Sequence, residues 1–355
     1  MTADAAGTPG ARTGVLLIQL GTPASPATRD VRRYLREFLS DPRVLDVPAL
    51  PRRLLLELAI LPRRPRVSAA AYRSIWTAAG SPLLVHSRAL AEGVARALGP
   101  AYRVELGMRY GEPSLAGALD RLRAAGAERV VVLPLYPQYA ASSTGSALAR
   151  AFELAAARWD VPAVLAVPSF HDDPAFLGAV AEVAHGPLAG FRADHVLFSF
   201  HGLPERQVRR SDPTPGGWCL ARPDCCERPA PAHRRCYRAQ CVATARALAE
   251  RLGLAPAAWS YAFQSRLGRT PWIRPFTDEA LPALAARGVR RLAVACPSFV
   301  ADCLETLEEI GIRARAQWRA LGGDELLLLP CPNAHPTWVD AVAALVRRTA
   351  PCPAR

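Results

Sequence analysis

The sequence predicts an α/β protein whose strands form parallel sheets with helices on both faces. Short apolar runs that suit buried strands alternate along the chain with stretches of helical periodicity. That alternation is typical of βαβ units, and therefore of a parallel sheet. The length of 355 residues exceeds what one hydrophobic core usually supports. We therefore expect two Rossmann-like domains, residues 1–168 and 169–355, each with a four-stranded parallel sheet, that face each other across a cleft.

The first half contains four predicted strands separated by helical stretches. The predicted strands are Thr13–Leu20, Val104–Met108, Arg129–Leu135 and Ala163–Val167. The predicted helices are Pro26–Leu39, Tyr72–Ala79, Leu83–Leu98, Leu115–Ala125 and Ala147–Ala157. Glycine and proline at positions 80 and 82 mark a turn between the second and third of these helices.

The second half repeats this plan. Its predicted strands are His195–Phe200, Trp259–Phe263, Arg291–Ala295 and Glu325–Leu329. A final helix is predicted near Thr337–Arg348, and we expect it to pack across the seam between the domains.

The net charge of +13, from 44 basic and 31 acidic residues, is compatible with nucleic acid, an anionic membrane or an acidic substrate as a partner. No basic stripe is interleaved with stacking aromatic residues, so we do not expect nucleic acid binding. No Gly-x-Gly-x-x-Gly or phosphate-loop motif follows a predicted strand, so the fold gives no reason to infer a nucleotide.

Targeting segments are not apparent. The first residues are small and polar without the apolar region of a signal peptide, and no apolar run reaches the roughly 18 residues of a spanning helix. We expect a cytoplasmic protein. Residues 50–64 are apolar in the middle and basic at both ends, a pattern that suits either an interfacial contact at the inner membrane face or a short core helix.

A histidine stands at the end of one predicted strand. In Val196–Pro204, a buried apolar run leads directly into His201 and then a glycine. Open α/β folds bind ligands at the carboxyl ends of their parallel strands, so this imidazole is well placed for chemistry. A single histidine at such a position is nevertheless more often a structural residue.

A second segment makes a functional interpretation stronger. Ala295–Ile310 follows another predicted strand and carries Glu305, Glu308 and Glu309, spaced so that one helix face presents all three. A solvated acidic helix face is the ordinary interpretation of such a cluster. Because both segments follow strands of one sheet, we expect His201 and Glu305 to share one rim.

These two segments resemble the active-site motifs of the ferrochelatase family. The matching stretches are Phe198-Ser-Phe-His-Gly-Leu-Pro-Glu-Arg206 and Asp302-Cys-Leu-Glu-Thr-Leu-Glu-Glu309, and the resemblance extends from Val15 to Trp338 in the family's order. It implies a class II chelatase-like fold and an enzyme that inserts Fe²⁺ into a porphyrin to make haem, with protoporphyrin IX favoured over coproporphyrin III. It also implies that His201 and Glu305 are the catalytic pair and contact the metal, with Glu308 and Glu309 as further acidic groups.

The resemblance further implies a set of residues that contact the substrate. They are matched at Leu20, Tyr72, Ser81, Arg109, Tyr110, Ser142, Ser143 and Trp272. The residue chemistry agrees with the reaction, because insertion of a divalent cation removes two pyrrole protons and requires a base and an acidic route for the protons.

A cysteine-rich stretch, residues 212–241, interrupts the second half. Five cysteines fall within it: Cys219, Cys225, Cys226, Cys236 and Cys241. Such density in a reducing compartment predicts a tetrathiolate site that binds either zinc or a [2Fe–2S] cluster, and the absence of a Cys-x-x-Cys pair argues modestly against zinc. The stretch resembles the insert of ferrochelatases that carry a [2Fe–2S] cluster, which implies Cys219, Cys226, Cys236 and Cys241 as ligands.

Several alternatives stay open at this point. Cys225 replaces Cys226 if the first of the two adjacent cysteines is the ligand, and His233 is a less favoured substitute. Cys296, Cys303, Cys331 and Cys352 are interpreted as core, loop or tail residues. Another chelatase that inserts cobalt or nickel, or a non-catalytic haem or iron–sulfur sensor, would share the fold. The oligomeric state is not predicted.

Overall fold

The computed structural model describes residues 13–268 and 270–351 and contains two four-stranded sheets whose strands are all parallel. The strand orders are β2-β1-β3-β4 and β6-β5-β7-β8. The strands are β1 Thr13–Gly21, β2 Tyr102–Tyr110, β3 Arg129–Pro134, β4 Ala163–Ala166, β5 His195–His201, β6 Trp259–Gln264, β7 Arg291–Ala295 and β8 Glu325–Leu328. The predicted fold class is therefore confirmed.

Helices cover both sheets and explain why the central strands are apolar throughout. They are α1 Thr28–Ser40, α2 Ala49–Leu54, α3 Arg64–Ile75, α4 Pro82–Leu98, α5 Leu115–Ala124, α6 Ser146–Ala156, α7 Pro174–Phe191, α8 Glu205–Arg210, α9 Tyr237–Arg251, α10 Thr277–Ala286, α11 Leu304–Leu307, α12 Arg315–Ala320 and α13 Pro336–Thr349. Three π-helical segments, Leu55–Ile60, Ala141–Gly145 and Glu309–Ala314, adjoin α2, α6 and α12. Because both faces of β1 and β5 are covered, these strands lack the polar alternation of a half-exposed sheet.

One predicted helix was wrong. The prediction placed a helix at Tyr72–Ala79, whereas α3 spans Arg64–Ile75 and the chain then forms a tight turn closed by mutual hydrogen bonds between Thr77 and Gly80. Pro65 lies in the first turn of α3, where its missing N–H costs no hydrogen bond, and it is the helix-start signal that the apolar periodicity obscured.

In each sheet the chain reverses its winding direction beside the first strand. The order β6-β5-β7-β8 places that reversal between β5 and β7, and the first sheet has the equivalent reversal between β1 and β3. Crevices at such points are the usual ligand sites of open α/β sheets. The loops after β5 and β7 carry the histidine and acidic segments singled out from the sequence.

Contacts between the two halves lie on both sides of this region. Helix α13 packs against α4 and α7, as expected for a final helix at the seam. Leu83 at the start of α4 packs against Ala301 and Cys303, next to the acidic segment. Strand β4 belongs to the first sheet and β5 to the second, and the boundary at residue 168 stays a prediction. Among the helices of the described residues, none is both long and apolar enough to cross a membrane.

Candidate active site and cysteine insert

His201 is the last residue of β5, and hydrogen bonds hold its ring and its backbone. Its Nδ1 lies 2.6 Å from the carbonyl oxygen of Gly202. Since a carbonyl only accepts, Nδ1 carries a proton, and no hydrogen bond to Nε2 is present among the described residues. The His201 N–H donates to Ser298 Oγ at 3.3 Å, and the His201 carbonyl accepts from the Tyr237 hydroxyl at 2.8 Å.

Gly202 allows this arrangement because no side chain fits at its position. A Cβ there would lie 2.9 Å from the carbonyl oxygen of Gln264 and 3.2 Å from the ring of Trp272. The half-buried Trp272 therefore packs over the backbone that follows His201, and its indole N–H donates to the Leu267 carbonyl at 2.9 Å. The tryptophan predicted to lie by the pocket is adjacent to the loop that follows His201.

Gln264 connects the histidine strand to the acidic segment. It is the direct partner of His201 in the β5–β6 pairing. Its side-chain amide donates to the Glu305 carbonyl at 2.8 Å and to Glu309 Oε2 at 3.4 Å. The histidine motif and the acidic motif, about a hundred residues apart in the sequence, are thus joined through one buried side chain.

Two residues with left-handed backbone support the acidic segment. Ser265 has φ of 66° and donates to the Glu309 carboxylate through its N–H, at 2.8 Å, and through its hydroxyl. Asn333 has φ of 51° and is bonded to Asp302 in both directions, at 2.7 and 2.8 Å. Non-glycine residues adopt this conformation at a cost that surrounding contacts must offset, and such residues cluster at functional sites.

The acidic segment departs from the single helical face that the spacing predicts. Helix α11 ends at Leu307, and a π-helical segment follows from Glu309. Glu308 pairs with Arg313 at 2.9 Å, and Glu309 is held by Ser265 with the same arginine 3.9 Å away. Periodicity in the sequence does not distinguish an α-turn from a π-turn, so this difference was not predictable.

Glu305 faces two tyrosines of the first half. Burial, and next the charge of Glu305, raise the pKa of Tyr72 well above its ordinary value. Burial also raises the pKa of Tyr34, with Tyr72 and then Glu305 as further causes. Both hydroxyls therefore stay protonated at neutral pH. Tyr72 packs against Leu304 and Leu307 in one apolar cluster. Helix α3 of the first half is therefore in contact with helix α11 of the second half.

Arg109 and Tyr110 surround a buried carboxylate that the sequence did not indicate. Asp41 accepts from Arg109 Nη2 at 2.6 Å, from the Tyr110 hydroxyl at 2.9 Å and from the Ser146 hydroxyl. Burial alone would raise the pKa of Asp41, but the hydrogen bonds from Ser146, the Arg43 N–H and Tyr110, and the charge of Arg109, together lower it. The carboxylate stays ionised and fixes the arginine.

The other matched residues lie on the first half of the molecule. Ser81 is buried and accepts a hydrogen bond from the Thr22 hydroxyl at 2.8 Å. Ser142 and Ser143 are half-buried in the π-helical segment before α6, and Leu20 is half-buried near the end of β1. Among the described residues, no hydrogen bond or ion pair joins Arg109, Ser142 or Ser143 to His201 or Glu305. These groups form a second set, on the first sheet.

The five cysteines of the insert are all buried in the apolar core. Cys225 Sγ lies 3.8 Å from Cys226 Sγ, and Cys236 lies beside both Cys219 and Cys226. Burial raises the pKa of Cys219 to about 11. Cys241 is fully buried in the first turns of α9, with Tyr237 as its nearest polar neighbour.

Positive groups face these sulfur atoms. Arg238 Nη1 lies 3.1 Å from Cys226 Sγ and 4.0 Å from Cys225 Sγ, and the Leu220 N–H donates to Cys225 Sγ at 3.4 Å. These contacts favour thiolates, but burial outweighs them and raises the pKa of Cys219, Cys225 and Cys241. The buried sulfur atoms fit a group held by cysteine only because a bound metal would itself deprotonate them. As the side chains stand, no three His, Cys, Asp or Glu residues within the described ranges are placed to hold a metal ion.

The remaining cysteines are separate from the insert. Cys296, Cys303 and Cys331 are buried around the acidic segment, as expected for core residues. The described residues do not include Arg269, Cys352 or any residue before Thr13.

Solved structures of other proteins share this fold. SirB from Bacillus subtilis with Fe³⁺ matches with a TM-score of 0.56 at 13% identity over 96% of each chain. The sirohydrochlorin chelatase SirB from Bacillus subtilis subspecies spizizenii, in complex with cobalt, matches with a TM-score of 0.54 at 14% identity over 96% of this chain and 97% of that one. The fold is therefore that of the chelatases with two Rossmann-like halves.

The family follows from the sequence comparisons. The family model described as ferrochelatase matches residues 12–350. The ferrochelatase of Azotobacter vinelandii is 50% identical over 336 residues, which cover 94% of this chain and 98% of that one, and the ferrochelatase of Coxiella burnetii is 47% identical over 339 residues, 95% and 93% of the two chains. The chain belongs to the ferrochelatase family and is an enzyme that inserts iron into a porphyrin to make haem.

Proposed function

We propose that His201 is the base of this reaction and that Glu305 contacts the incoming iron or the departing proton. The observation that carries the proposal is the Gln264 bridge, which pairs with His201 on one side and bonds the Glu305 carbonyl on the other. Nε2 of His201 would accept a pyrrole proton, and the bond from Nδ1 to Gly202 would hold the ring in place as it becomes charged.

The neighbouring groups fit supporting roles. Glu308 and Glu309 extend the acidic surface away from Glu305, which suits removal of the second proton. Tyr72 and Ser81 line the first half beside Glu305, and Arg109, fixed by Asp41, supplies a positive charge that suits a substrate propionate. Leu20, Tyr110, Ser142, Ser143 and Trp272 complete the proposed substrate contacts.

We propose protoporphyrin IX as the preferred substrate over coproporphyrin III. Protoporphyrin carries two propionates and two vinyl groups, whereas coproporphyrin carries four propionates, so protoporphyrin is the more apolar of the two. Exposed leucines lie on α2 and the π-helical segment that follows it, with Leu54 50% and Leu58 71% exposed. A route of entry across these side chains favours the more apolar macrocycle.

An anaerobic assay with Fe²⁺ tests this preference. We expect kcat/KM to be at least tenfold higher with protoporphyrin IX than with coproporphyrin III, because burying a vinyl edge is favourable and burying an unpaired carboxylate is costly. Equal or reversed values would contradict the preference and leave the family assignment intact.

We also propose that the insert holds a [2Fe–2S] cluster through Cys219, Cys226, Cys236 and Cys241, with Cys225 as the alternative to Cys226. The buried sulfur atoms and the adjacent Arg238 support a thiolate-held group. Such a cluster would supply structural or sensing chemistry beside the catalytic loop.

Spectra of cysteine variants test the cluster. Protein purified without oxygen should be coloured, with iron and acid-labile sulfide in equal amounts, and Cys219→Ser or Cys236→Ser should lose most of both. Cys331→Ser is the matched control, because Cys331 is equally buried outside the insert. Colourless protein with stoichiometric zinc would refute the iron–sulfur assignment, and Cys225→Ser against Cys226→Ser would identify the ligand of that pair.

We propose a peripheral contact with the inner membrane face through residues 50–64. Leu50, Leu54, Leu55 and Leu58 are exposed, and Arg53, Arg63 and Arg64 lie exposed at the edges of the same surface. This arrangement suits apolar side chains in the interface and guanidiniums on anionic headgroups.

Sedimentation with anionic phosphatidylglycerol vesicles tests the contact. The Leu54→Asp, Leu58→Asp double variant should bind at least tenfold more weakly, because each buried leucine contributes about 1.5–3 kcal/mol. Val161→Asp is the control, since Val161 is 60% exposed on another surface. Equal losses in both variants would contradict a contact specific to residues 50–64.

A further inference from the structure

We propose that Tyr237 is a positioning residue that fixes the backbone of His201 and transmits the state of the cysteine insert to it. This inference rests on the proposed role of His201 as the base. Tyr237 is the first residue of α9 and directly follows Cys236, so it stands between the insert and the catalytic strand.

On the β7 side of His201, hydrogen bonds with side chains take the place of strand pairing. On the β7 side, the β5 pairing ends at Phe198 and Ala295, three residues before His201. The N–H of His201 donates to Ser298 Oγ at 3.3 Å, and its carbonyl accepts from the Tyr237 hydroxyl at 2.8 Å. These two bonds take the place of the missing ladder and fix the peptide that carries the imidazole.

The same hydroxyl closes a ring of hydrogen bonds. Tyr237 Oη and Ser298 Oγ are 3.1 Å apart. Because the single proton of the phenol is donated to the His201 carbonyl, the Ser298 hydroxyl must donate to Tyr237 and its oxygen accepts from His201. Tyr237 is only 6% exposed. If its hydroxyl were removed, the His201 carbonyl would lose its partner, and water would not readily take the place of that hydroxyl.

A second residue of α9, Gln240, connects the cysteine insert to the first half of the molecule. Gln240, one turn after Tyr237, donates to the Arg234 carbonyl inside the insert at 3.0 Å. Its Oε1 accepts from the Tyr139 N–H at 2.7 Å and from Ser169 Oγ at 3.1 Å. Tyr139 ends the loop that precedes Ser142 and Ser143. The first turn of α9 is therefore bonded to the insert, to the loop of the first half and to His201.

The position of Cys236 explains how the insert would act. Cys236 is the residue before the first turn of α9 and lies beside Cys219 and Cys226. A group held by these sulfur atoms would fix the start of the helix, and its loss would free that start to shift. Misplacement of a catalytic group by about 1 Å costs up to 10²-fold in rate, so a small shift transmitted through Tyr237 is sufficient.

The Tyr237→Phe variant tests the positioning role in the full-length protein. We expect kcat to fall about tenfold and KM for the porphyrin to change less than twofold, since the hydroxyl acts on the reacting group and not on the bound macrocycle. Hydrogen exchange of the peptide 198–203 should accelerate, because the His201 N–H loses a supported acceptor.

Tyr102→Phe is the matched control. Tyr102 is also buried and also donates from its hydroxyl to a backbone carbonyl, that of Ala350 at 3.0 Å, but it lies in the first half away from His201. It should leave kcat and exchange of 198–203 unchanged. Wild-type kcat in Tyr237→Phe, or equal effects in the two tyrosine variants, would overturn the positioning role.

A double-variant cycle tests transmission from the insert. Cys236→Ser should lower kcat and accelerate exchange of 198–203, and the Cys236→Ser, Tyr237→Phe double variant should be no worse than the poorer single variant. Losses that multiply would overturn transmission through Tyr237. His201→Ala separates the two proposals: substantial turnover there would refute the role of His201, whereas an inactive His201→Ala with a fully active Tyr237→Phe would refute this inference alone.

Discussion

The His201→Ala variant should fold normally and lose nearly all metallation. General acid–base catalysis contributes about 10²–10⁴-fold to a rate, and His201 is the proposed base. The side chain of His201 makes only one hydrogen bond, to Gly202, so its removal leaves the strand and its backbone bonds intact. The measurement is kcat with Fe²⁺ and porphyrin under anaerobic conditions, with a thermal melt as the test of folding.

His185→Ala is the control for this variant. His185 is exposed on α7, outside the proposed site, and its replacement should leave both kcat and the melting temperature unchanged. Retention of more than about a tenth of wild-type turnover in His201→Ala would remove the histidine from the mechanism. Loss of the folded state would contradict the expected result as well, because the imidazole makes only one hydrogen bond and an edge-on contact with Phe299, at 6.4 Å between ring centroids.

The strands were predictable because their signal is local. Buried parallel strands are continuous apolar runs, and the eight runs in the sequence coincide with the eight observed strands to within a few residues at each end. The helix α3 was displaced in the prediction because its first turn carries arginines and a proline, whereas the apolar residues concentrate near its end. The three π-helical segments have no sequence signal of the kind that periodicity provides.

The proposed site was predictable only in part. His201 and Glu305 stand in segments that follow strands of one sheet, so their placement at one rim follows from topology. Gln264, Tyr237 and Asp41, which hold the functional groups in place, were missed. Each is an ordinary residue within a strand, a helix or a loop, and its role depends on a partner 36 to 69 positions away, which local reasoning does not reveal.

In the proposed site, the two sheets contribute different chemical groups. The second sheet carries the proposed base and carboxylates, joined by Gln264, while the first carries Arg109 and the serine loop around Asp41. Tyr72 and Leu83, from the first half, contact the acidic segment of the second, so the relative position of the halves fixes where the carboxylates face the substrate. The helices between the sheets are thus part of the proposed site.

The Glu305→Gln variant should lower kcat by about 10²-fold while the protein stays folded. Glutamine keeps the shape of the side chain but cannot accept a proton or carry the negative charge that draws a divalent cation toward the porphyrin. The bond from Gln264 reaches the Glu305 backbone carbonyl, so it survives the substitution.

The metal dependence separates the two roles proposed for Glu305. If the carboxylate contacts iron, KM for Fe²⁺ should rise in Glu305→Gln and the porphyrin KM should not. If it only carries a proton, kcat should fall with KM for iron unchanged. Glu325→Gln is the control, because Glu325 is an exposed carboxylate at the opposite, amino-terminal end of β8. Wild-type kcat and wild-type KM for iron in Glu305→Gln would exclude both roles, and Glu309, held by Ser265 at the same rim, would then be the carboxylate to test.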